Sequence, residues 1–257
     1  MNINLKFFML ANALLFASSN SWALPIIPTG GSFTISTIYE GSGSSNGAAP
    51  LLAVGDTIEG IGFVNTILDA NNNVVWNNGL NDQLSVIFQD YKAVSISSST
   101  APIEIQFTGG ILKIYETAAT LAPTGNFTND RATILAGQTG LFLDTIGASI
   151  GLQGNPLVTL DAFINAGNLL NIGAGSGQGF LDVIGGSQAG NIGQGAIQGH
   201  DISLASSFNS GTTNGYAASG SLTLKTFATT VPEPGSLFLL AIGMLGLGAT
   251  SVLRKKA

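Results

Sequence analysis

The sequence predicts an all-β fold, a single β-sandwich or jelly-roll-like ectodomain with a barrel as second choice. Three observations carry that expectation. Short segments rich in β-branched and aromatic residues recur at roughly ten-residue spacing, each gap punctuated by Gly, Asn, Ser or Thr. Helical periodicity is weak through the body, where 35 glycines in 257 residues and a charged fraction of only 9% leave few good helix formers. Cysteine is absent, so packing and backbone pairing must hold the chain together, as a body of this size allows.

The elements follow in order. Ser32–Tyr39 (SFTISTIY) alternates apolar and hydroxyl side chains, the signature of a half-buried strand, and Glu40–Pro50 (EGSGSSNGAAP) has the composition of a flexible loop. Asp56–Leu68 predicts one long strand or two, because Gly60 and Gly62 suggest a bulge or bend. Asp69-Ala70-Asn71-Asn72-Asn73 then predicts a hairpin turn into Val74-Val75-Trp76, since Asn tolerates positive φ. Further strands are expected at Leu84–Gln89, Tyr91–Ile96, Ile103–Phe107 and Ile111–Tyr115, the last two joined by Gly109-Gly110. Thr139–Ile150, Leu157–Ile164, Gly179–Ile184, Ile202–Phe208 and Ala217–Phe227 complete the series, and the best helix candidate is a short turn within Asn155–Leu170. The Gly-rich stretch Gly167–Gly199, with Asn-Ile-Gly at 171–173 and again at 191–193, hints at a local duplication too short for a solenoid.

Both ends read as targeting segments. Lys6 precedes an apolar run from Phe7 to Ala17, and Ser21-Trp22-Ala23 forms a small-x-small site, so residues 1–23 are expected to be a signal peptide cleaved after Ala23, with Sec-type export. At the other end, Val231-Pro232-Glu233-Pro234-Gly235 leads into an uncharged run from Ser236 to Leu253 and then Arg254-Lys255-Lys256. The two prolines disfavour helix and keep Glu233 in an extended, accessible stretch. Eighteen residues as a helix span about 27 Å, close to the ~30 Å hydrocarbon core. The basic cluster locks Arg254, Lys255 and Lys256 on the cytoplasmic side, placing everything upstream on the opposite face. The domain reading is therefore 1–23 signal peptide, 24–230 all-β exported domain and 231–257 tail with a transmembrane helix at 236–253.

This tail resembles the PEP-CTERM protein-sorting tail, with the Pro-Glu-Pro triplet, the Gly-studded helix and the terminal basic cluster all in place. The resemblance implies processing by an exosortase of a Gram-negative, exopolysaccharide-producing bacterium, with Pro232, Glu233 and Pro234 as the recognised motif. It further implies a precursor anchored in the inner membrane facing the periplasm, and a mature form at the cell surface or outside it. The expected role is a structural protein of biofilm or floc matrix, or of adhesion, in contact with exopolysaccharide. The alternatives are a secreted carbohydrate-binding module and, behind it, a glycan-active hydrolase.

Residues 24–231 hold four Lys and Arg against thirteen Asp and Glu, a formal charge of −9, and the cations are scattered. Nucleic acid is thereby disfavoured as a partner, because phosphate binding needs clustered cations. No catalytic constellation emerges, and no enzyme is expected. His200 is the single histidine and reads as a turn residue; Gly43-Ser44-Ser45-Asn46-Gly47 matches G-x-S-x-G but lacks the strand–turn–helix setting of a nucleophile elbow. Asp69-x-Asn71-x-Asn73 opens like a calcium loop but continues with Val74 and Leu80, where an EF-hand needs Gly and Glu. Gly175-Ser176-Gly177-Gln178-Gly179 with Asp182 is similarly off-register for a calcium repeat. No cofactor or metal site is assigned, and calcium on sandwich loops is left open. Tyr39, Trp76, Tyr91, Tyr115 and Tyr216 are open to two readings, sugar-stacking faces or core partners, and the spacing of Asp144 from Asp161 cannot be read from sequence.

Overall fold

The computed structural model describes residues 27, 30–50, 53–79, 83–118, 121–148, 157–169, 171–195 and 199–226. The signal peptide, its Ala23 site and the whole 231–257 tail, transmembrane segment included, lie outside these residues. Ten strands and one α-helix make up the described chain: β1 (Ser32–Ser42), β2 (Thr57–Leu68), β3 (Val74–Asn77), β4 (Gln83–Ile96), β5 (Ile103–Thr117), α1 (Phe127–Gly137), β6 (Gln138–Ala148), β7 (Leu160–Asn168), β8 (Asn171–Gly185), β9 (Ile202–Thr213) and β10 (Tyr216–Thr226).

The strands close on themselves. Hydrogen-bonded neighbours run β1-β10-β9-β8-β6-β5-β4-β2, and β2 returns to β1, giving an eight-position antiparallel barrel. The expected sandwich is thus corrected to the second-choice barrel. Alternation along a strand is the same in either architecture; what distinguishes them is whether the two outer strands meet, and here β1 pairs on both edges. Irregular register at Ile35–Thr37 lets it do so. One position is shared: β6 pairs the C-terminal half of β5 and β7 the N-terminal half, and the same two strands divide β8 between them. The short β3 hangs on β2 as an outer flap.

Several expected breaks are bends within longer strands. Leu84–Gln89 and Tyr91–Ile96 belong to β4, with Asp90 at φ 64°. Ile103–Phe107 and Ile111–Tyr115 belong to β5, whose Gly109 and Gly110 both take positive φ. A fourteen- or fifteen-residue strand must coil to follow a small barrel, and these irregularities supply the bend. Residues 160–168, within the expected helical turn, form β7 instead. The helix lies at α1, capped by Asn126, whose side chain accepts from the Asn129 backbone N–H at 3.1 Å.

Two apolar layers result. The barrel interior holds Phe33, Ile35, Val64, Val86, Ile103, Ile105, Ile114, Phe142, Ile202 and Leu224 among others, all nearly solvent-free. Outside the wall, Phe127 and Ile134 of α1 pack with Tyr39, Ile61, Ile87, Tyr115 and Tyr216. Asp130, buried in that second layer, accepts from Tyr216 Oη (2.8 Å), Thr124 Oγ1 (2.7 Å) and the Thr124 backbone N–H, tying the helix to β10. Among the described residues no helix is long and apolar enough to cross a membrane.

Candidate functional site

The site grows out of a period-two glycine stripe. On β8, Gly175, Gly177 and Gly179 face the barrel interior, where other strands present Ile, Leu or Phe. A Cβ at Gly175 would sit 2.2 Å from the Phe208 ring, one at Gly177 2.6 Å from Ser206 Oγ, and one at Gly179 3.3 Å from Leu160 Cδ1. Side chains from β7 and β9 therefore lean over this wall and take the room the glycines leave. What was read as a broken calcium repeat is the inner lining of a barrel, and its Asp182 sits on the outward face, beside His200.

Packing does not fill all of that room. A cavity of about 70 Å³ remains, lined by Glu40, Gly41, Pro50, Ile58, Ile105, Phe107, Leu160, Ala162, Ile164, Gly177, Ser206, Phe208, Ala217 and Ala218. A second void of about 40 Å³ shares Glu40, Ile58, Leu160 and Ser206 with it and adds Tyr91, Phe88, Leu112, Ile38, Leu204 and Leu222. The walls are apolar except for three groups: the Glu40 carboxyl, the Tyr91 hydroxyl and the Ser206 hydroxyl. Glu40 follows Ile38 at strand spacing, so both point inward, while Tyr39 between them packs outward on Tyr216 at a ring separation of 5.8 Å.

Burial weighs on two of these groups. Glu40 is half-buried in the cavity wall, and desolvation pushes its pKa up from 4.5 to about 7. Tyr91 is 2% exposed, its hydroxyl lacks a partner, and burial raises its pKa. The Tyr91 ring lies where a Cβ of Gly110 would be, 2.3 Å from Tyr91 Cδ1, so the β5 bend also shapes this pocket. Sequence reading missed Glu40 because it opens a segment with loop composition; the available signal was its same-face spacing from Ile38 within a strand that continues to Ser42.

The other residues singled out from sequence are not brought together. Tyr39, Tyr91, Tyr115 and Tyr216 are buried, and Trp76 is half-buried against the interior layer, so none of the four tyrosines presents a free ring face. Asp144 pairs with Lys113 at 2.8 Å on the β5–β6 side. Asp161 faces Gln106 on the β5–β7 side and is pushed up to about 6, by burial first and then by Glu104. Lys113 and Gln106 are seven positions apart on β5, which separates the two carboxylates by roughly 20 Å, beyond the ~5–10 Å of a glycosidase pair. His200 stacks on Phe180 with centroids 5.2 Å apart and meets Asp182 at 3.1 Å.

Gly43–Ser45 forms a short 3₁₀ turn closed by Ser45 Oγ, which donates to the Ser42 carbonyl and accepts from the Ala49 N–H. Both carboxylate oxygens of Asp69 are engaged by its own turn, Oδ1 by the N–H groups of Asn71 and Asn73 and Oδ2 by Asn73 Nδ2, which lowers its pKa. The calcium-like opening is a hydrogen-bonded hairpin turn.

The Pro-Glu-Pro tail follows β10 in the chain. No curated protein and no solved structure matches the chain. Residues 230–255 match the PEP-CTERM protein-sorting motif, on which the chain is an exosortase substrate, a secreted protein sorted to the cell surface.

Proposed function

We propose that the protein is a non-enzymatic structural component of the extracellular matrix, with a role in biofilm or floc cohesion or in adhesion. The sorting motif at 230–255 is the observation that carries this reading. In the proposed route the signal peptide, cut after Ala23, takes the chain through the inner membrane by the Sec machinery. The segment 236–253 halts it, and Arg254, Lys255 and Lys256 fix its orientation. Pro232-Glu233-Pro234 then stands at the outer face for the exosortase.

The body supports a life outside the cell. A closed barrel leaves few strand edges for unwanted pairing, and its stability needs no disulfide and so no particular redox state. The acidic, weakly charged surface suits a hydrated polysaccharide matrix. The carbohydrate-module alternative draws less support, since the tyrosines that would stack on sugar are buried.

The test is intact mass of the protein from the cell surface or medium, compared with the membrane fraction, in a strain whose floc strength is measured with and without the gene. A species starting at Leu24 and ending near Pro232–Pro234, together with weakened flocs in the deletion, supports the proposal. A species that keeps Arg254-Lys255-Lys256 in the inner membrane overturns it.

A further inference from the structure

We propose that Asn78-Gly79, where the chain leaves β3, is a spontaneous modification site, at which asparagine converts to aspartate and isoaspartate while the other two Asn-Gly pairs stay intact. Asn-Gly occurs at 46–47, 78–79 and 214–215. Glycine has no Cβ to shield its backbone nitrogen, so all three pairs are chemically competent and the fold decides between them. The reaction needs only water. The Gly79 nitrogen, having given its proton to hydroxide, attacks Asn78 Cγ; the N–Cγ bond forms, the Cγ–Nδ2 bond breaks, and Nδ2 leaves as ammonia with a proton from water. Water then opens the five-membered succinimide at either carbonyl. Opening at the Cγ carbonyl gives aspartate, and opening at the main-chain carbonyl gives isoaspartate, whose backbone runs through the former side chain.

Two of the pairs are held out of that geometry. Ring closure requires the asparagine to bring the following nitrogen round to its own Cγ, which a left-handed turn with a fixed next peptide does not allow. Asn46 caps the 3₁₀ turn at φ 51° and ψ 39°, and the Gly47 N–H donates to the Ser42 carbonyl at 3.0 Å. Gly47 is buried, with the Tyr216 ring 2.6 Å from where a Cβ would stand, and Thr128 Oγ1 donates to Asn46 Oδ1 at 2.9 Å, fixing the side chain. Asn214 and Gly215 form the two-residue turn between β9 and β10, both at positive φ. Asn214 Nδ2 donates to Tyr39 Oη at 3.2 Å, and the Gly125 backbone packs on Gly215. Either pair reacts only after its turn opens locally.

Asn78-Gly79 has none of these restraints among the described residues. Both residues are exposed, neither lies at positive φ, and apart from the chain neighbours no heavy atom stands within 4 Å of where a Gly79 Cβ would be. The Asn78 N–H donates to the Asn65 carbonyl at 2.8 Å, an anchor on the far side of the reacting peptide that holds neither Cγ nor the Gly79 nitrogen. The product adds a carboxylate where β3, which pairs β2 alone among the described strands, leaves the barrel wall.

The test is incubation of the full chain in mildly alkaline buffer, folded and in urea, with peptide mass mapping for the amide-to-acid exchange and enzymatic methylation for isoaspartate. In the folded chain Asn78 is expected to convert at least roughly tenfold faster than Asn46 or Asn214, with isoaspartate among the products. In urea the turns are gone, and the three rates should converge. Gly79→Ala, into open space, should leave the fold unchanged and slow conversion at 78 roughly tenfold, because a Cβ then crowds the attacking nitrogen. Equal rates in the folded chain overturn the proposal, as does faster conversion at 46 or 214. A ranking that survives unchanged in urea also overturns it, since neighbouring sequence and not the fold would then set the order. Conversion at 78 that Gly79→Ala does not slow overturns it as well, by removing the succinimide route.

Discussion

Glu40 makes a prediction about stability that is independent of any ligand. In the folded barrel its pKa is about 7, against 4.5 for the free side chain, because burial penalises the charged form. Between those values the folded state holds a proton that the unfolded chain has released. The stabilisation is therefore fully present below pH 4.5 and is lost as pH rises through 7. The shift is worth about 3 kcal/mol, most of it lost between pH 5 and pH 7. Glu59, raised to about 7 by burial and then by Asp90, and Asp161, raised to about 6, act in the same direction. Gln at position 40 mimics the protonated carboxyl, so Glu40→Gln should match the native protein at pH 5 and exceed it at pH 8. With a urea m-value of about 2 kcal/mol/M, the difference at pH 8 is an unfolding midpoint higher by roughly 1.5 M. Equilibrium urea unfolding of both proteins at pH 5, 6, 7 and 8 makes the measurement. Parallel profiles for the two proteins, or a native protein that gains stability from pH 5 to pH 8, would refute the placement of Glu40 inside the barrel.

Other outcomes are expected from the same geometry. Asp130→Ala removes the acceptor of Tyr216 Oη and of the Thr124 N–H and hydroxyl, and should cost about 3 kcal/mol in urea unfolding and release the near-UV signal of Tyr216. Gly175→Ala drives a methyl into the Phe208 ring and the Phe163 carbonyl and should cost about 1–3 kcal/mol, whereas Gly190→Ala, with open space around it, should stay within about 0.5 kcal/mol. Glu233→Ala should block exosortase processing, and neutralising Arg254, Lys255 and Lys256 together should impair orientation or retention. Intact mass and cell fractionation read both, and an unchanged mature protein in either variant would remove the assigned role.

Much of the wall was legible in the chain. Alternation in Ser32–Tyr39, Ile103–Phe107 and Ile202–Phe208 reports a local property, the two-residue period of a pleated strand, and each became part of a strand. The Asp69–Asn73 turn was legible for the same reason, since its hydrogen bonds run within five consecutive residues. The helix at Phe127–Gly137 was not, because its buried residues, Phe127, Asp130 and Ile134, include an aspartate that belongs to the core only through Tyr216, eighty-six positions away.

The sequence by itself determined the strand class, the absence of disulfides, the acidic character and the address at residues 230–255, all set by composition or by contiguous motifs that act in extended or membrane-directed form. Only the tertiary structure decided closure, and with it the site. Whether β1 meets β2 and β10 depends on pairings between residues far apart in the chain, such as Glu40 with Gly60 and with Ala218. A glutamate at the end of a β-alternating run is exposed in an open sheet; once the sheet closes, the same alternation turns it inward beside the space that Gly177 leaves.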